Sequence, residues 1–495
     1  MKYILLFFLG LIANLSFTPY DIKIIILLSF ISYFYLLNFE DIKESLLQTF
    51  FFSLGLYIPS IYWIYYVVNI YGNANIFIST TSVLLMLVYF SCYFLFPISF
   101  CQIVRSKLNI SSNSSYVLLI IFIVVFEIIR SHLFTGYAWQ NIGQSSLGTP
   151  LSTFLPILGV HGLSFIILLI SLSLFFILRR KFIIFYMPVF LLITISYLFL
   201  NKINYTVPTD KYYDIAVIQG NIKQVDRWTK KSINNAMRIY KELTYESLNA
   251  KPDMVFWPEA AIPIQFNLLE KTYYKEIIGN LSNYPNTSLV IGTFIKDSGG
   301  IYNSILNLNN PKQHYYKKHL VPFGEYMPFR NILSFLYKNL TVPMTDIQTG
   351  HRDNALLISN ELVYSSICYE SIFPYEHLIK NKDIGFILNI TNDSWFGDSL
   401  APYQHLDALR LRSAENQRFS VRSATTGISA VINHYGDIIN QLDFQKKGIL
   451  YSKINIRKGI TPYAKFGNYI LYILIIVFLI YCLVFEKLRV RRSDR

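Results

Sequence analysis

The sequence is poor in charged residues and in cysteine, although it is 495 residues long. Charged side chains make up only 15% of it, and hydrophobic ones make up 53%. Because globular domains average about 25% charged residues, this composition argues against an ordinary soluble enzyme. The four cysteines include no CxxC spacing, which argues against both a disulfide framework and a structural zinc site.

Charge is missing altogether from three long stretches near the N-terminus. Residues 45–104, 131–178 and 182–201 contain no Lys, Arg, Asp or Glu. Apolar runs of about 17–25 residues cross a bilayer as helices. We predict seven spans before residue 201, at about 3–18, 22–39, 47–70, 76–101, 114–130, 155–178 and 183–200. An eighth span is predicted near the C-terminus, in NYILYILIIVFLIYCLVF.

The net charge of +14 is better explained by membrane topology than by nucleic-acid binding. No zinc-finger or RNA-binding signature accompanies it. Basic residues gather in RSKLN, in the RRK at 179–181 and in the tail KLRVRRSDR, whereas the connections TPYDIK and IYGNAN have almost none. Since cytoplasmic loops carry the excess of Lys and Arg, we predict a cytoplasmic N-terminus and an outer location for residues 201–465.

The middle of the chain has a different pattern. Runs such as DIAVIQGN, DMVFWPE and GFILNITND are short and β-branched, and helical stretches such as KKSINNAMRIYKELTYESLNA lie between them. Strands that alternate with helices indicate a layered α/β domain. We therefore predict a seven-span membrane domain at 1–200, an extracytoplasmic catalytic domain at 201–465, and a last transmembrane helix with a basic cytoplasmic tail at 466–495.

Three reactive residues lie near the ends of predicted strands: Glu259 in FWPEAAIP, Lys317 in YYKKHLVPFGEYMP and Cys368 in SSICYESIFP. Strand ends are where an α/β domain usually displays its working groups. Cys368 lies among small and polar residues. The other cysteines lie in long hydrophobic stretches: Cys92, Cys101 and Cys482.

These three residue types together suffice for acyl transfer. A carboxylate takes the proton of a thiol, and an ammonium stabilises both the thiolate and the oxyanion that forms when a carbonyl is attacked. Neither a metal nor a cofactor is needed for that chemistry. The eight histidines form no HExxH or other ligand pattern, so we predict no metal site.

Five ordered motifs give the chain a family resemblance. They are QGN at 219–221, WPEAAIP at 257–263, KKHLVPFGEYMP at 317–328, ICYESIFP at 367–374 and NDSWFGDSLAPYQH at 392–405. Together they resemble the nitrilase, or carbon–nitrogen hydrolase, superfamily, whose fold is an α-β-β-α sandwich. With its spans before and after this domain, the whole chain resembles the apolipoprotein N-acyltransferase family of Gram-negative bacteria.

The resemblance implies a role for each matching residue. Glu259 would be the general base, Lys317 the oxyanion stabiliser and Cys368 the nucleophile. Glu325 in PFGEY matches an additional glutamate beside the triad.

Three further residues match positions that the family uses. Tyr369 and Glu370 match residues just after the nucleophile that are needed for activity. Trp228 in KQVDRW falls where the family has a Trp on a mobile arm near the site.

The resemblance also implies substrates and a location. The thiol would attack a phospholipid ester, typically of phosphatidylethanolamine, and form a thioester. The α-amine of a diacylglyceryl-cysteine at the N-terminus of an apolipoprotein would then take the acyl chain. The enzyme would lie in the bacterial inner membrane with its catalytic domain on the periplasmic face.

Two alternatives stay open at this point. A membrane-tethered amidase or nitrilase would share the triad, but a small soluble substrate gives no reason for eight spans. A transporter with a scaffold domain would need ionisable residues along a path, and only Glu127 and Arg130 lie at membrane depth. Their spacing puts both on one helix face, and we interpret them as a structural ion pair.

Overall fold

The computed structural model describes residues 1–180, 183–200, 203–223, 229–328, 347–351 and 353–493. They form two compact units. The helical unit comprises Met1–Tyr62, Thr80–Ile203 and Pro462–Arg495, and the sheet unit comprises Trp63–Ser79 and Asn204–Thr461. The predicted boundaries at 200/201 and 465/466 stay predictions, but a short segment between two early helices belongs to the sheet unit.

The described residues contain α-helices in both units. In chain order the helices are α1 Lys2–Ala13, α2 Ile24–Leu36, α3 Ile42–Ile61, α4 Ile64–Tyr66, α5 Ile76–Leu108, α6 Ser112–Arg130, α7 Leu155–Leu178, α8 Ile183–Leu200, α9 Lys230–Leu248, α10 Phe266–Leu269, α11 Lys275–Leu281, α12 Ala401–Asn416, α13 Pro462–Phe466 and α14 Tyr469–Ser493. A π-helical turn, Val67–Tyr71, follows α4 directly.

The predicted multi-span helical membrane domain is confirmed as a fold class. Within the described residues, three helical stretches are long and apolar enough to cross a bilayer: Ile76–Leu108, Ser112–Arg130 and Pro150–Leu178. The bent pair Ile42–Ile61 and Ile64–Tyr71 would make a fourth. Shorter apolar helices occupy Lys2–Ser16, Ile24–Leu36 and Tyr469–Ile480. The protein is thus a membrane protein, and the count of eight spans stays a prediction.

Two glycines let α1 and α3 cross with their backbones in contact. A Cβ on Gly10 would lie 2.0 Å from the carbonyl oxygen of Phe52, and one on Gly55 would lie 2.0 Å from that of Phe7. Lipid is as apolar as the helices, so the hydrophobic effect does not drive the helices together. Small residues at a crossing allow close van der Waals packing instead. Close backbone packing therefore holds this helix pair together.

Glu127 and Arg130, which were predicted to form an ion pair, take separate partners among the described residues. Oε1 of Glu127 accepts a hydrogen bond from the backbone N–H of Ile142 at 2.8 Å. Arg130 donates to Asn141 Oδ1 at 2.7 Å and to the Tyr57 hydroxyl at 3.2 Å. Both charged groups thus tie α6 to the segment that follows it, and their structural role stays an interpretation.

Two six-stranded sheets form the centre of the sheet unit. Its strands are β1 Thr206–Gln219, β2 Met254–Phe256, β3 Ser288–Asp297, β4 Gly300–Asn307, β5 His314–Tyr316, β6 Ala355–Ile358, β7 Glu361–Ile367, β8 Ile384–Thr391, β9 Phe419–Ala424, β10 Ser429–Ile432, β11 Ile438–Leu442 and β12 Gly448–Gly459. The strand order is β12-β1-β2-β3-β4-β5 in the first sheet and β11-β10-β9-β8-β7-β6 in the second. Strands β1, β2 and β3 are parallel, as are β7, β8 and β9.

The sheets face each other across an apolar core and are covered by helices on their outer sides. Side chains such as Val217 and Phe256 of the first sheet pack with Phe386 and Leu388 of the second. Every residue of β8 is buried, which is typical of a parallel strand covered on both faces. Helices α9 and α11 cover the first sheet, and α12 covers the second. The predicted α-β-β-α sandwich is confirmed.

Helix α9 illustrates why these segments fold as predicted. Thr229 caps its N-terminus, accepting a hydrogen bond from the N–H of Ser232 at 3.2 Å. Ala236, Tyr240 and Leu243 recur at helical spacing and are buried against the first sheet. A helix with one apolar stripe packs that stripe onto the sheet and leaves its charged face in water.

Candidate active site

The three predicted reactive residues follow three different strands. Glu259 comes shortly after β2, whereas Lys317 and Cys368 come directly after β5 and β7. Lys317 and Glu259 are buried, and Cys368 is 9% exposed. The first sheet therefore carries the acid and the amine, and the second sheet carries the thiol.

Lys317 is shared between two carboxylates. Its Nζ lies 2.8 Å from Oε2 of Glu325 and 3.4 Å from Oε1 of Glu259. Burial alone would lower the pKa of Lys317, but the charges of Glu325 and Glu259 raise it above its ordinary value. The ammonium is thus a fixed positive charge inside the domain.

Two asparagines hold the carboxylates in place. The Nδ2 of Asn303 donates to Oε1 of Glu259 at 2.7 Å and to Oε1 of Glu325 at 2.9 Å. The backbone N–H of Asn392 donates to Oε2 of Glu259 at 2.7 Å. Sequence reasoning missed both residues in this role. Asn392 lies in the NDSWFGDSLAPYQH motif, but nothing distinguishes Asn303 from other polar residues in strands.

A glycine in β3 allows the Glu259 segment to lie so close to the sheet. A Cβ on Gly292 would be 2.2 Å from the carbonyl oxygen of Pro258 and 2.7 Å from the Cα of Glu259. The Gly292 carbonyl also accepts a hydrogen bond from the N–H of Ala261 at 3.1 Å. Any larger residue at position 292 would push the carboxylate away from Lys317.

Cys368 has a left-handed backbone, with φ at +51°. For a residue with a Cβ this conformation costs about 1–2 kcal/mol, and such strain clusters at functional sites. Burial and the charge of Glu259 raise the pKa of the Cys368 thiol above its ordinary value, whereas Lys317 opposes that rise. The resting thiol is therefore protonated, and Glu259 and Lys317 are the charged groups that bear on it most strongly.

The buried side chain of Glu370 links the end of β7 to the segment that follows β5. Its Oε1 accepts from the hydroxyl of Tyr315 and the N–H of Lys318, both at 2.7 Å, and from the N–H of His319 at 3.2 Å. Its Oε2 accepts from the N–H of Ile367 at 2.6 Å. One carboxylate thus joins the segment after Lys317 to the residue before Cys368. Burial and the neighbouring Glu376 raise the pKa of Glu370 to about 7.

The other two predicted residues lie differently. The ring of Tyr369 packs edge-on against Phe373, with centroids 5.0 Å apart, and against His319 at 5.6 Å. Its ring therefore packs directly beside the turn that carries Cys368. Trp228 lies outside the described residues, so its predicted role stays a prediction.

A buried polar cluster behind Cys368 was not predicted as such. His405 contacts the Cys368 carbonyl oxygen through Nε2 at 3.0 Å, and its Nδ1 lies 3.0 Å from Asp393 Oδ1. Arg422 contacts the other oxygen of Asp393 at 2.8 Å. His405 and Asp393 both lie in the NDSWFGDSLAPYQH motif, but Arg422 lies in the unremarkable strand β9.

A segment from between two early helices covers the turn that carries Asp393. The Tyr71 hydroxyl donates to the carbonyl oxygen of Ser394 at 2.6 Å, and its ring contacts Trp395. The ring of Trp63 packs edge-on against Phe396, with centroids 4.8 Å apart. These aromatic contacts hold the turn next to Asn392.

Taken together, a buried carboxylate, an ammonium and a thiol at strand ends of an α-β-β-α sandwich define a carbon–nitrogen hydrolase domain, here in a membrane protein. Among the described residues no group of three or more His, Cys, Asp or Glu side chains could hold a metal ion. The arrangement suits acyl transfer through a covalent thioester.

Family models support this class in both halves of the chain. The carbon–nitrogen hydrolase model matches residues 214–461, and the model of the apolipoprotein N-acyltransferase N-terminal domain matches residues 9–173. In the solved structure of a carbon–nitrogen hydrolase superfamily protein from Xanthomonas campestris, 91% of that chain corresponds to 49% of this one. The sequence identity is 18% and the TM-score 0.37.

Two full-length relatives are similar over nearly the whole sequence. The apolipoprotein N-acyltransferase of Wigglesworthia glossinidia brevipalpis is 32% identical, with 96% of each chain covered. That of Pasteurella multocida is 30% identical over 95% of this chain and 92% of its own. This chain belongs to the apolipoprotein N-acyltransferase family, and it is a membrane-bound acyltransferase of lipoprotein biosynthesis.

Proposed function

We propose that this enzyme transfers an acyl chain from a phospholipid to a lipoprotein through a thioester on Cys368. In the first step Glu259 takes the thiol proton, and the sulfur attacks the carbonyl carbon of a phospholipid ester. The negative charge that forms on the carbonyl oxygen is stabilised by the Lys317 ammonium. The carbon–oxygen bond to glycerol then breaks, and the leaving alkoxide takes the proton from Glu259, which releases a lysophospholipid.

In the second step the α-amine of a diacylglyceryl-cysteine attacks the thioester. Glu259 takes a proton from the amine as the carbon–nitrogen bond forms. The carbon–sulfur bond breaks, and the proton returns to the sulfur of Cys368. The products are an N-acylated lipoprotein and the original thiol, so no cofactor is consumed.

The observation that carries this proposal is the position of Lys317 between two carboxylates. Its Nζ lies 2.8 Å from Glu325 and 3.4 Å from Glu259. Glu325 balances the lysine charge, so Glu259 remains available to exchange a proton with Cys368. A fixed cation in a buried site stabilises a developing oxyanion without reorganisation.

Burial of the nucleophile supports transfer rather than hydrolysis. Cys368 is 9% exposed, and apolar side chains surround it in the core between the sheets. A thioester survives long enough for an amine to reach it only when water is excluded. Acyl chains of the lipid substrates would add to that exclusion.

We propose phosphatidylethanolamine as donor and a diacylglyceryl-apolipoprotein as acceptor, both within the bacterial inner membrane. The charge asymmetry of the helical segments supports a periplasmic face for the sheet unit. Cysteines placed singly in its polar loops, in a cysteine-free background, should react with an impermeant thiol reagent in intact spheroplasts. Labelling only after permeabilisation would overturn the orientation.

Intact-mass analysis tests the mechanism directly. The membrane-purified enzyme, incubated with phosphatidylethanolamine, should gain the mass of one acyl chain, and neutral hydroxylamine should remove it. Cys368→Ala should gain none. Cys101→Ala is the matched control, because Cys101 is also a buried thiol but lies in α5. An adduct on Cys368→Ala would reject the thioester, and hydrolysis of a C–N substrate without any acyl adduct would favour an amidase.

A further inference from the structure

The imidazole of His405 contacts the proposed nucleophile from behind and is buried. Its Nε2 lies 3.0 Å from the carbonyl oxygen of Cys368, and the hydroxyl of Ser371 donates to the same oxygen at 3.0 Å. A backbone carbonyl only accepts hydrogen bonds, so Nε2 must carry a hydrogen. His405 thus holds the peptide group that follows the nucleophile.

The opposite nitrogen faces one anion and one cation. Asp393 Oδ1 lies 3.0 Å from Nδ1, and Arg422 Nη2 lies 2.9 Å from it. Arg422 Nη2 also lies 2.8 Å from Asp393 Oδ2, while its Nη1 donates to Asn389 Oδ1 at 2.7 Å. Nδ1 thus lies between a carboxylate oxygen, which only accepts hydrogen bonds, and a guanidinium nitrogen, which only donates them.

The contact with the Cys368 carbonyl places a hydrogen on Nε2 whichever of these two neighbours Nδ1 bonds. Burial and the positive charge of Arg422 lower the pKa of His405 below its ordinary value, although Asp393 opposes this effect. The ring of Phe396 packs edge-on against the imidazole, with centroids 5.8 Å apart, and adds no charge.

We propose that His405 is a positioning residue for Cys368, acting through its Nε2–H while Asp393 and Arg422 hold the ring from the other side. Its hydrogen bond to the carbonyl holds Cys368 in the left-handed backbone conformation. Without that bond the peptide group rotates, and the thiol leaves its place beside Glu259 and Lys317. The proposal rests on the thioester function, because it concerns how the nucleophile is placed for the first step.

Two substitutions of His405 separate this role from packing. His405→Gln keeps a donor for the carbonyl and an acceptor for Arg422, whereas His405→Leu keeps the volume and removes both. We expect the rate of thioester formation to fall by up to about 100-fold in His405→Leu, as for a catalytic group misplaced by about 1 Å. We expect His405→Gln to stay within about threefold of the wild type, with half-saturating phospholipid unchanged in both variants.

His377→Leu is the matched control. His377 is also buried and contacts the Phe373 carbonyl through Nδ1, but it does not contact Cys368. It should leave the rate unchanged. Wild-type rates in His405→Leu would overturn the positioning role. Equal losses in His405→Leu and His405→Gln, at unchanged thermal unfolding, would show that a donor to the Cys368 carbonyl does not account for the rate, and would overturn the proposal.

Alkylation of Cys368 gives a second measurement that needs no acyl donor. In full-length protein whose other cysteines are Ser, iodoacetamide should react at least about tenfold more slowly with His405→Leu, because the thiol has left the charges that activate it. An unchanged alkylation rate would overturn the positioning role. Failure of the wild type to form any thioester would instead reject the proposed function, so the two failures are distinguishable.

Discussion

Each unit of the protein buries a carboxylate and a cation close together, but the two clusters are built differently. In the sheet unit Lys317 contacts both Glu259 and Glu325. In the helical unit Glu127 and Arg130 contact the segment after their own helix instead. A carboxylate and a cation therefore balance each other's charge in one unit, whereas in the other they bond separate groups of a neighbouring segment.

The difference follows from what each carboxylate accepts. Glu259 accepts a hydrogen bond from the backbone N–H of Asn392 and also contacts the side chains of Asn303 and Lys317. Glu127 uses its bond to Ile142 to fix a chain reversal after α6. Glu127 and Arg130 keep the segment after α6 in place, so their loss should lower the free energy of unfolding.

The largest effect should come from the proposed nucleophile. Cys368→Ala removes the sulfur on which the proposed thioester depends, so acyl transfer from radiolabelled phospholipid to a diacylglyceryl-peptide should fall to background. Cys368→Ser should be nearly as inactive, since a serine hydroxyl is far less acidic than a thiol. Replacing Cys92 or Cys101 by Ala should leave transfer intact. Substantial transfer by Cys368→Ala would show that the cluster around Lys317 does not act through Cys368.

The next largest effect should come from the charges around Lys317. Glu259→Gln and Lys317→Ala should each slow thioester formation by about 10²–10⁴-fold, the usual range for loss of a general base or an oxyanion donor. Single-turnover acylation followed by mass spectrometry measures this rate. A full acyl adduct on Glu259→Gln at wild-type speed would require a different base.

Arg130 should affect stability rather than chemistry. Arg130→Ala leaves Asn141 and Tyr57 without their charged donor, which should cost roughly 1.5–3 kcal/mol of stability. Arg130→Lys keeps the charge but lacks the planar fork that reaches both acceptors, so it should recover only part of the loss. The measurement is unfolding in detergent together with the acylation rate per folded molecule. A slowed acylation rate at an unchanged free energy of unfolding would contradict the stabilising role that we assign to Arg130.

The smallest effect should come from Glu370. It lies in the sheet unit but, like Glu127, accepts hydrogen bonds from backbone N–H groups. The folded pKa of about 7 is above the ordinary value of 4.5. As pH rises between these values, the unfolded chain loses the Glu370 proton while the folded chain keeps it, so stability falls. Melting temperatures across this pH range should decline less steeply in Glu370→Gln. Parallel curves would show that Glu370 does not titrate in this range.

Much of this organisation could be predicted from the sequence because it depends on periodicity and motif order. The charge-free runs and the alternation of strands with helices predicted the two kinds of structure. The positions of Glu259, Lys317 and Cys368 at strand ends followed from the same pattern. Long motifs carried the family resemblance.

What the sequence could not predict is the set of partners that only folding brings together. Glu127 and Arg130 have the spacing of an ion pair, yet Glu127 bonds the N–H of Ile142 and Arg130 bonds the side chain of Asn141, because buried polar groups of that segment must also be satisfied. Asn303 lies far from Glu259 in sequence and reaches it only through strand pairing. Local spacing carries no information about such contacts.

The segment Trp63–Ser79 is synthesised well before the rest of the sheet unit to which it belongs. Tyr71 and its partner Ser394 are 323 positions apart in sequence, and ribosomes add about 5–20 residues per second. Tyr71 is therefore synthesised on the order of tens of seconds before the turn that it covers. A fragment limited to residues 204–461 would lack the segment Trp63–Ser79 altogether, leaving Trp395 and Phe396 uncovered, so the sheet unit is completed only when the emerging chain folds back onto a part synthesised long before.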